Sequence, residues 1–271
     1  MAEIQEATDV GFPEELNIMF FGQPGGGKTT FATTFPRPIL FFDIDQRHQT
    51  YAGVDGVDYL EYKEEGSKAF AYRDFIRDLR KYQTGSDYKT VCVDSTTMLL
   101  RLIKNDLLGL RGTGKGATEG LSLPQWGTVT DRFEKVFDIV RNYDTHSIVT
   151  SHEQAFQDEL TGEIMRVVMM VGKKFPQKAP LFFDEIYYCY RKEGKGDKKP
   201  RFLFRTQNSR RHFSRTSLNV HDKENNTVPI LDEVEVQHFR YIKDKVEEAR
   251  KDPAAYAKKM KAKRRKSSTS S

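Results

Sequence analysis

Apolar residues in this chain gather into short unbroken runs separated by polar stretches with helical spacing. That alternation predicts an α/β fold. The runs at 16–21, 38–45, 89–95 and 147–152 have strand length. They are too continuously apolar for strands with one face in water, so both faces should be covered. Between them, residues 68–82 place Phe70, Phe75, Ile76 and Leu79 on one helical face. Residues 97–110 read as a second helix. Residues 126–143 read as a long amphipathic helix with Val129, Phe133, Val136, Phe137 and Val140 apolar. The stretch from residue 46 to about 66 is polar, and Arg111 to Gly120 is a glycine-rich basic loop. Beyond residue 164 the pattern changes. Residues 164–171, 185–191 and 201–205 read as successive strands, with Gly194 to Asp197 as a hairpin connection. Residues 232–250 read as a helix, and the tail after Pro253 as a basic helix fading into Ser and Thr. There are no internal repeats.

Composition narrows the class. A chain of 271 residues fits one large α/β domain with additions, or two small domains. It is 37% hydrophobic and 31% charged, enough for a core under a very polar surface. No apolar run reaches membrane-spanning length. The acidic start, Met1 to Glu6, has no signal-peptide pattern, so a cytoplasmic location is expected. Cys92 and Cys189 cannot form a disulfide framework or a zinc site and read as core thiols of a reducing compartment. The net charge of +5 is unevenly spread: residues 251–271 carry +7, leaving −2 for the rest.

The candidate chemistry starts at residues 22–29, Gly-Gln-Pro-Gly-Gly-Gly-Lys-Thr. Gly22, Gly27, Lys28 and Thr29 fill every fixed position of the phosphate-binding pattern G-x-x-x-x-G-K-[ST]. Glycines let successive backbone N–H groups turn inward around an anion, so Gly22, Gln23, Pro24, Gly25, Gly26 and Gly27 form the expected cradle. Lys28 would bridge the β- and γ-phosphates, the Thr29 hydroxyl would hold Mg²⁺, and Thr30 continues the contact into the following helix. The flanks agree, with an apolar strand before the motif and Thr30 to Phe35 as a helix that Pro36 ends.

Three strand ends supply partners. Asp94 closes its strand where a second Mg²⁺-holding carboxylate is needed, although it could also cap the next helix. Asp43 and Asp45 close another, on one face by alternation, and Asp45 lies nearer the rim as the candidate base for an attacking water. His152 ends the fourth strand, where it could touch a γ-phosphate and report its loss.

This order of motifs resembles the RecA-like P-loop ATPases. Phe42-Asp43-Ile44-Asp45 looks like their I-D-x-E strand, Val93-Asp94-Ser95 like their Walker B, and His152 falls where they carry a sensing Gln. A closer resemblance is to phage-encoded proteins with a stand-alone AAA/RecA core, some of which act in single-strand annealing and recombination. It rests on Thr150 to Glu153, Gln125-Trp126-Gly127, Gly172 to Phe175 and Phe183-Asp184-Glu185. The resemblance implies a RecA-like, mostly parallel sheet flanked by helices, with antiparallel strands added on the C-terminal side and a basic C-terminal helix and tail. It divides the chain into an extension (1–15), a core (16–220) and a C-terminal helix with tail (221–271). It implies ATP and Mg²⁺ as cofactors, ATPase activity, assembly with itself as a ring or filament, and support of phage recombination, annealing or replication. Replication or recombination proteins are further possible partners, and no membrane is implied. Two departures stand out: Asp45 replaces a Glu, and the usual K-x-R pair is reduced to Phe213-Ser214-Arg215, leaving Arg215, or Arg211 beside it, as the finger reaching a neighbour's ATP. The segments matching the DNA-facing loops carry Arg111 and Lys115, then Arg166, Lys173 and Lys174 with Phe156 and Phe175. Cations tracking a backbone and rings stacking on bases suit single-stranded DNA. Two other functions remain open, a non-catalytic nucleotide-gated loader or scaffold and a P-loop small-molecule or nucleotide kinase.

Overall fold

The structure is a computed structural model that describes residues 13–63, 71–109, 121–157, 162–170, 178, 181–194, 196 and 198–268. The apolar runs form its central strands: β1 (Asn17–Gly22), β2 (Ile39–Asp43) and β4 (Thr90–Asp94) are buried at every residue. β5 (His146–Gln157) begins equally buried. With β3 (Val57–Glu61), β6 (Ile164–Val168), β7 (Glu185–Lys192), β8 (Arg201–Arg205) and β11 (Val234–Val236) they make one nine-stranded sheet. Its order is β11-β8-β7-β1-β5-β4-β2-β3, with β6 paired to the outer end of β5. From β7 to β3 every neighbour is parallel, while β8 on β7, β11 on β8 and β6 on β5 are antiparallel. This is the expected α/β architecture, a mostly parallel sheet with antiparallel strands added on the C-terminal side.

Strand alternation sends neighbouring side chains of β1 to opposite faces. Met19 and Phe21 join Phe42, Val93, Phe133, Phe137 and Val149 on the face covered by α2 (Ala71–Lys81), α3 (Thr96–Leu108) and α4 (Leu123–Arg141). Ile18 and Phe20 join Phe31, Phe41, Ile148 and Phe204 on the other. That face is covered by α1 (Lys28–Ala32), α5 (Phe239–Lys251), α6 (Pro253–Ser268) and the hairpin of β9 (Asn219–His221) and β10 (Thr227–Pro229). Phe20 stacks on Phe31 with centroids 4.5 Å apart, joining β1 to the helix after the phosphate loop. Full burial of one such ring stabilises by about 1.5–3 kcal/mol, so the loop hangs between two of the best-anchored elements.

The structure corrects several expectations. Residues 232–250 are not one helix: Val234–Val236 pairs with Leu203–Arg205 as β11, and α5 starts only at Phe239, where the His238 ring accepts from the Arg240 N–H at 3.2 Å. The polar stretch after β2 contains β3, which pairs with β2 alone at the sheet edge. β2 stops at Asp43, so the alternation expected to carry Asp43 and Asp45 together does not extend to Asp45. The basic tail is largely occupied. Lys259 pairs with Glu248 at 2.5 Å, Lys263 with Asp232 at 2.5 Å, and Lys261 with Asp222, fastening α6 to α5 and the β9–β10 region.

Candidate active site

All parallel strands point their C-terminal ends to one edge, and the phosphate loop sits there between β1 and α1. Its backbone demands glycine at two positions. A Cβ on Gly22 would overlap the Cys189 carbonyl oxygen of β7, and the residue has φ +149°. A Cβ on Gly27, at φ +87°, would lie 2.8 Å from Cδ1 of Phe202. Lys28 is buried, and its Nζ donates to the Gly22 and Gln23 carbonyls at 3.0 Å each, so the ammonium holds the loop's own backbone in a ring. Burial pulls its pKa below the ordinary lysine range, opposed by Asp94 and Asp45 among other neighbours. A cleft of about 240 Å³ opens over the loop. Lys28, Thr29, Thr30, Asp45, Arg47, Asp94 and His152 line it, so residues from four separate stretches of sequence converge there.

Thr29 and Asp94 meet. The Thr29 hydroxyl donates to Asp94 Oδ2 at 2.8 Å, and the Thr150 hydroxyl of β5 donates to Oδ1. Asp94 is 4% exposed, and no ion pair reaches it among the described residues. Burial raises its pKa, opposed by the hydrogen bonds from Thr150 and Thr29, with Asp45 and Asp43 adding to the rise. A buried carboxylate that makes no ion pair, held by two hydroxyls with other carboxylates nearby and only the Lys28 charge in the vicinity, is short of positive charge. Hard oxygen donors on one side of an open cleft suit Mg²⁺, which keeps several waters, so Thr29 and Asp94 fit that ion.

The remaining predicted residues separate. Asp45 lines the cleft with its Oδ2 3.4 Å from Arg47 Nε. Asp43 instead turns to the polypeptide behind it, accepting from the Arg47 N–H at 3.2 Å. Burial raises the Asp43 pKa. His152 lines the cleft, and its Nδ1 is buried with no hydrogen-bond partner among the described residues. Burial first, then Lys28, holds its pKa below the usual histidine range, so the ring is neutral at neutral pH and can present a donor or an acceptor. Arg215 is exposed and does not line the cleft of its own chain. Its backbone pairs with Ile186 of β7 through two 2.9 Å hydrogen bonds. Arg166 lies on β6 with Nη1 3.5 Å from Glu153 Oε1, and the same oxygen accepts from Gln23 Nε2 of the phosphate loop at 3.3 Å. Arg111, Lys115, Lys173 and Lys174 lie outside the described residues.

The family model described as "AAA domain" matches residues 14–218, about three quarters of the chain. The chain belongs to this AAA-domain family. No curated protein matches it. Among solved structures it is similar to a KaiC-like protein from the hyperthermophilic archaeon Pyrococcus horikoshii, at 13% identity over 80% of this chain and 90% of that one. The TM-score of 0.42 makes that likeness too loose to bear on function.

Sequence reasoning missed several residues that build the site of this AAA-domain chain. Thr150 holds Asp94, and its place two register steps before the last pair of β5 with β1 was the available sign. Gln237, between β11 and α5, donates to the Gly26 carbonyl at 2.7 Å and the Leu203 carbonyl at 2.8 Å, supporting the loop from behind. Phe202 and Arg47 line the cleft from β8 and from the segment after β2. Glu153 joins the loop tip to the β5–β6 hairpin. The assembled group has the fold and cleft of a nucleotide-binding ATPase: an anion cradle, one ammonium, a hydroxyl–carboxylate pair for a metal, and polar groups at the rim.

Proposed function

We propose that this protein is a Mg²⁺-ATP-dependent, RecA-like ATPase that binds single-stranded DNA and supports phage recombination, annealing or replication. The observation that carries the nucleotide part is the meeting of Thr29 with Asp94 beside the Lys28-closed loop. In this reading the loop N–H groups and Lys28 bind the β- and γ-phosphates. Thr29 and Asp94 hold Mg²⁺, which supplies neutralisation of the phosphate oxygens when bound. Asp45 orients water in line with the γ-phosphorus and takes its proton as the bond to the bridging oxygen breaks, giving ADP and phosphate. The neutral His152 ring contacts the γ-phosphate and reports its departure. Arg215 cannot serve its own chain's cleft, so its role requires a neighbouring subunit in a ring or filament.

The DNA part rests on Arg166, part-exposed on a hairpin that Glu153 links to the loop tip. Strand binding there has a short physical route to the nucleotide. The test is ATPase rate with and without single-stranded DNA at low salt. The proposal expects binding that weakens steeply with salt and a higher rate in the bound state. Absence of strand binding at low salt removes the DNA part and leaves the nucleotide part standing. The Asp45–Arg47 ion pair favours one second reading, a nucleotide-gated loader or scaffold with negligible turnover. Tight nucleotide binding without phosphate release over hours would select it.

A further inference from the structure

Charge and aromatic rings meet on one face beside the phosphate loop. Residues 191–215 hold ten Lys and Arg against Glu193 and Asp197, a charge of +8 within a chain of +5. The C-terminal tail is nearly as basic, but its Lys259, Lys261 and Lys263 are paired with Glu248, Asp222 and Asp232. β7 and β8 carry the +8 segment along the outer side of the loop, where a second cleft of about 500 Å³ opens, twice the volume of the first. Tyr188, Tyr190, His212, Arg191 and Arg205 line it, together with Gln23 to Gly26 of the loop. Alternation puts Tyr188 and Tyr190 on one face of β7. Their rings lie 5.8 Å apart at 18°, and His212 lies against Tyr188 at 4.1 Å, so three rings form a continuous floor. Tyr188 is buried at its centre, and Tyr190 is half-buried. The segment behind His212 is joined to β6: the Arg166 N–H donates to the Arg211 carbonyl at 2.7 Å, and the Phe213 N–H donates to the Arg166 carbonyl at 3.1 Å. The exposed side chains of Arg166 and Arg211 therefore continue the basic rim.

We infer that a single-stranded nucleic acid lies in this groove, with a base stacked on Tyr190 and its phosphates following Arg191 and Arg205 toward Arg166. This deepens the strand-binding reading and rests on it. Arg191 pairs with Glu193 at 3.0 Å and Arg205 with Glu233, and both carboxylates are exposed. Surface pairs of this kind are worth about 0–1 kcal/mol, so a phosphate can take either cation from its partner. The local charge attracts any phosphate backbone, whatever its sequence. Rings add a demand of their own. Stacking on a side chain needs an open base face, which a duplex buries within its own stack, so the groove suits a single strand. An acidic peptide would engage the arginines and leave the rings unused.

Fluorescence anisotropy titrations with a labelled oligothymidylate and an abasic strand of the same length test this on wild type, Tyr190→Ala, Tyr190→Phe and the double variant Arg191→Gln with Arg205→Gln. Wild type should prefer the base-bearing strand by about tenfold, as one stacked base supplies. Tyr190→Ala should lose that preference and bind the abasic strand as wild type does, while Tyr190→Phe should keep the preference. The double variant should lower the slope of log K against log salt by about 1.4 for both strands, two phosphate contacts being removed. Equal losses for both strands in Tyr190→Ala would make the ring a support of the fold and overturn the inference. So would an unchanged salt slope in the double variant. A wild type that binds both strands equally uses the groove for charge alone, as for an acidic peptide, and overturns it too. Binding that Arg166→Gln weakens and Tyr190→Ala leaves intact removes the groove and keeps the strand-binding reading. Wild type binding neither strand at low salt removes that reading itself, an outcome distinct from the others.

Discussion

Replacing Asp94 by Asn should make the ligand-free protein more stable while removing its response to magnesium nucleotide. The carboxylate is buried, receives hydroxyls from Thr29 and Thr150, and makes no ion pair among the described residues. Its pKa is raised by burial above the unfolded value, so ionisation in the folded state opposes folding at neutral pH. Asn keeps the shape. It accepts from one threonine and donates to the other, whose hydroxyl can also accept, so no buried group is orphaned. Only the charge is lost. Relief of a function-imposed cost of this kind is about 1 kcal/mol. For a chain of this size that shifts Tm by about 2–4 °C. Thermal and urea unfolding in EDTA, then with magnesium ATP at about a hundred times Kd, give the two halves of the test. Wild type should gain about 2.7 kcal/mol from the ligand and the variant little. The sign with pH follows: a raised folded pKa penalises the ionised form, so the variant's advantage should be full near neutrality and vanish as pH falls through the folded pKa toward 3.8. An Asn variant less stable than wild type in EDTA at neutral pH would refute the reasoning and make Asp94 a structural anchor.

Gln237→Ala removes two hydrogen bonds, to the Gly26 and Leu203 carbonyls, and should cost about 1–2 kcal/mol in urea unfolding while weakening nucleotide binding several-fold. Unchanged nucleotide affinity would show that the loop holds its shape without this support. His146 accepts from the Leu16 N–H at 3.1 Å between the rings of Phe35 and Phe239, and burial lowers its pKa from 6.5 to about 4. A depressed histidine pKa gives stability that is complete above pH 6.5 and lost as pH falls through 4, so the unfolding free energies of wild type and His146→Gln should converge by about 3 kcal/mol over that window. A pH-independent difference would contradict this.

The parts of the site that come from contiguous residues were legible in the sequence, and the parts that come from convergence were not. The loop from Gly22 to Thr29 announces itself because its chemistry fixes residue types at fixed spacing. Asp94 was legible because it ends an apolar strand, and His152 because the apolar run of its strand stops there, although the strand itself continues to Gln157 and His152 does not end it. Thr150 and Gln237 carry no local mark: one is a β-branched residue in a strand, the other a polar residue between elements, and each gains meaning from a partner more than fifty residues away. β11 was hidden because Val234 and Val236 fit both a strand and the first turns of a helix. Pairing with β8 decided between them. β3 was missed because an edge strand has one partner and can carry Asp58 and Glu61 at its surface. The ion pairs of the basic tail were not legible, because sequence shows its lysines but not Asp222, Asp232 and Glu248 facing them.

The central claim is that the Lys28-closed loop, with Thr29 and Asp94, grips a magnesium triphosphate. Isothermal titration of magnesium ATP into wild type and Lys28→Ala tests it most directly. The account predicts saturable heat for wild type and its loss in the variant. No heat from wild type at saturating magnesium nucleotide, or identical binding by both proteins, would contradict it.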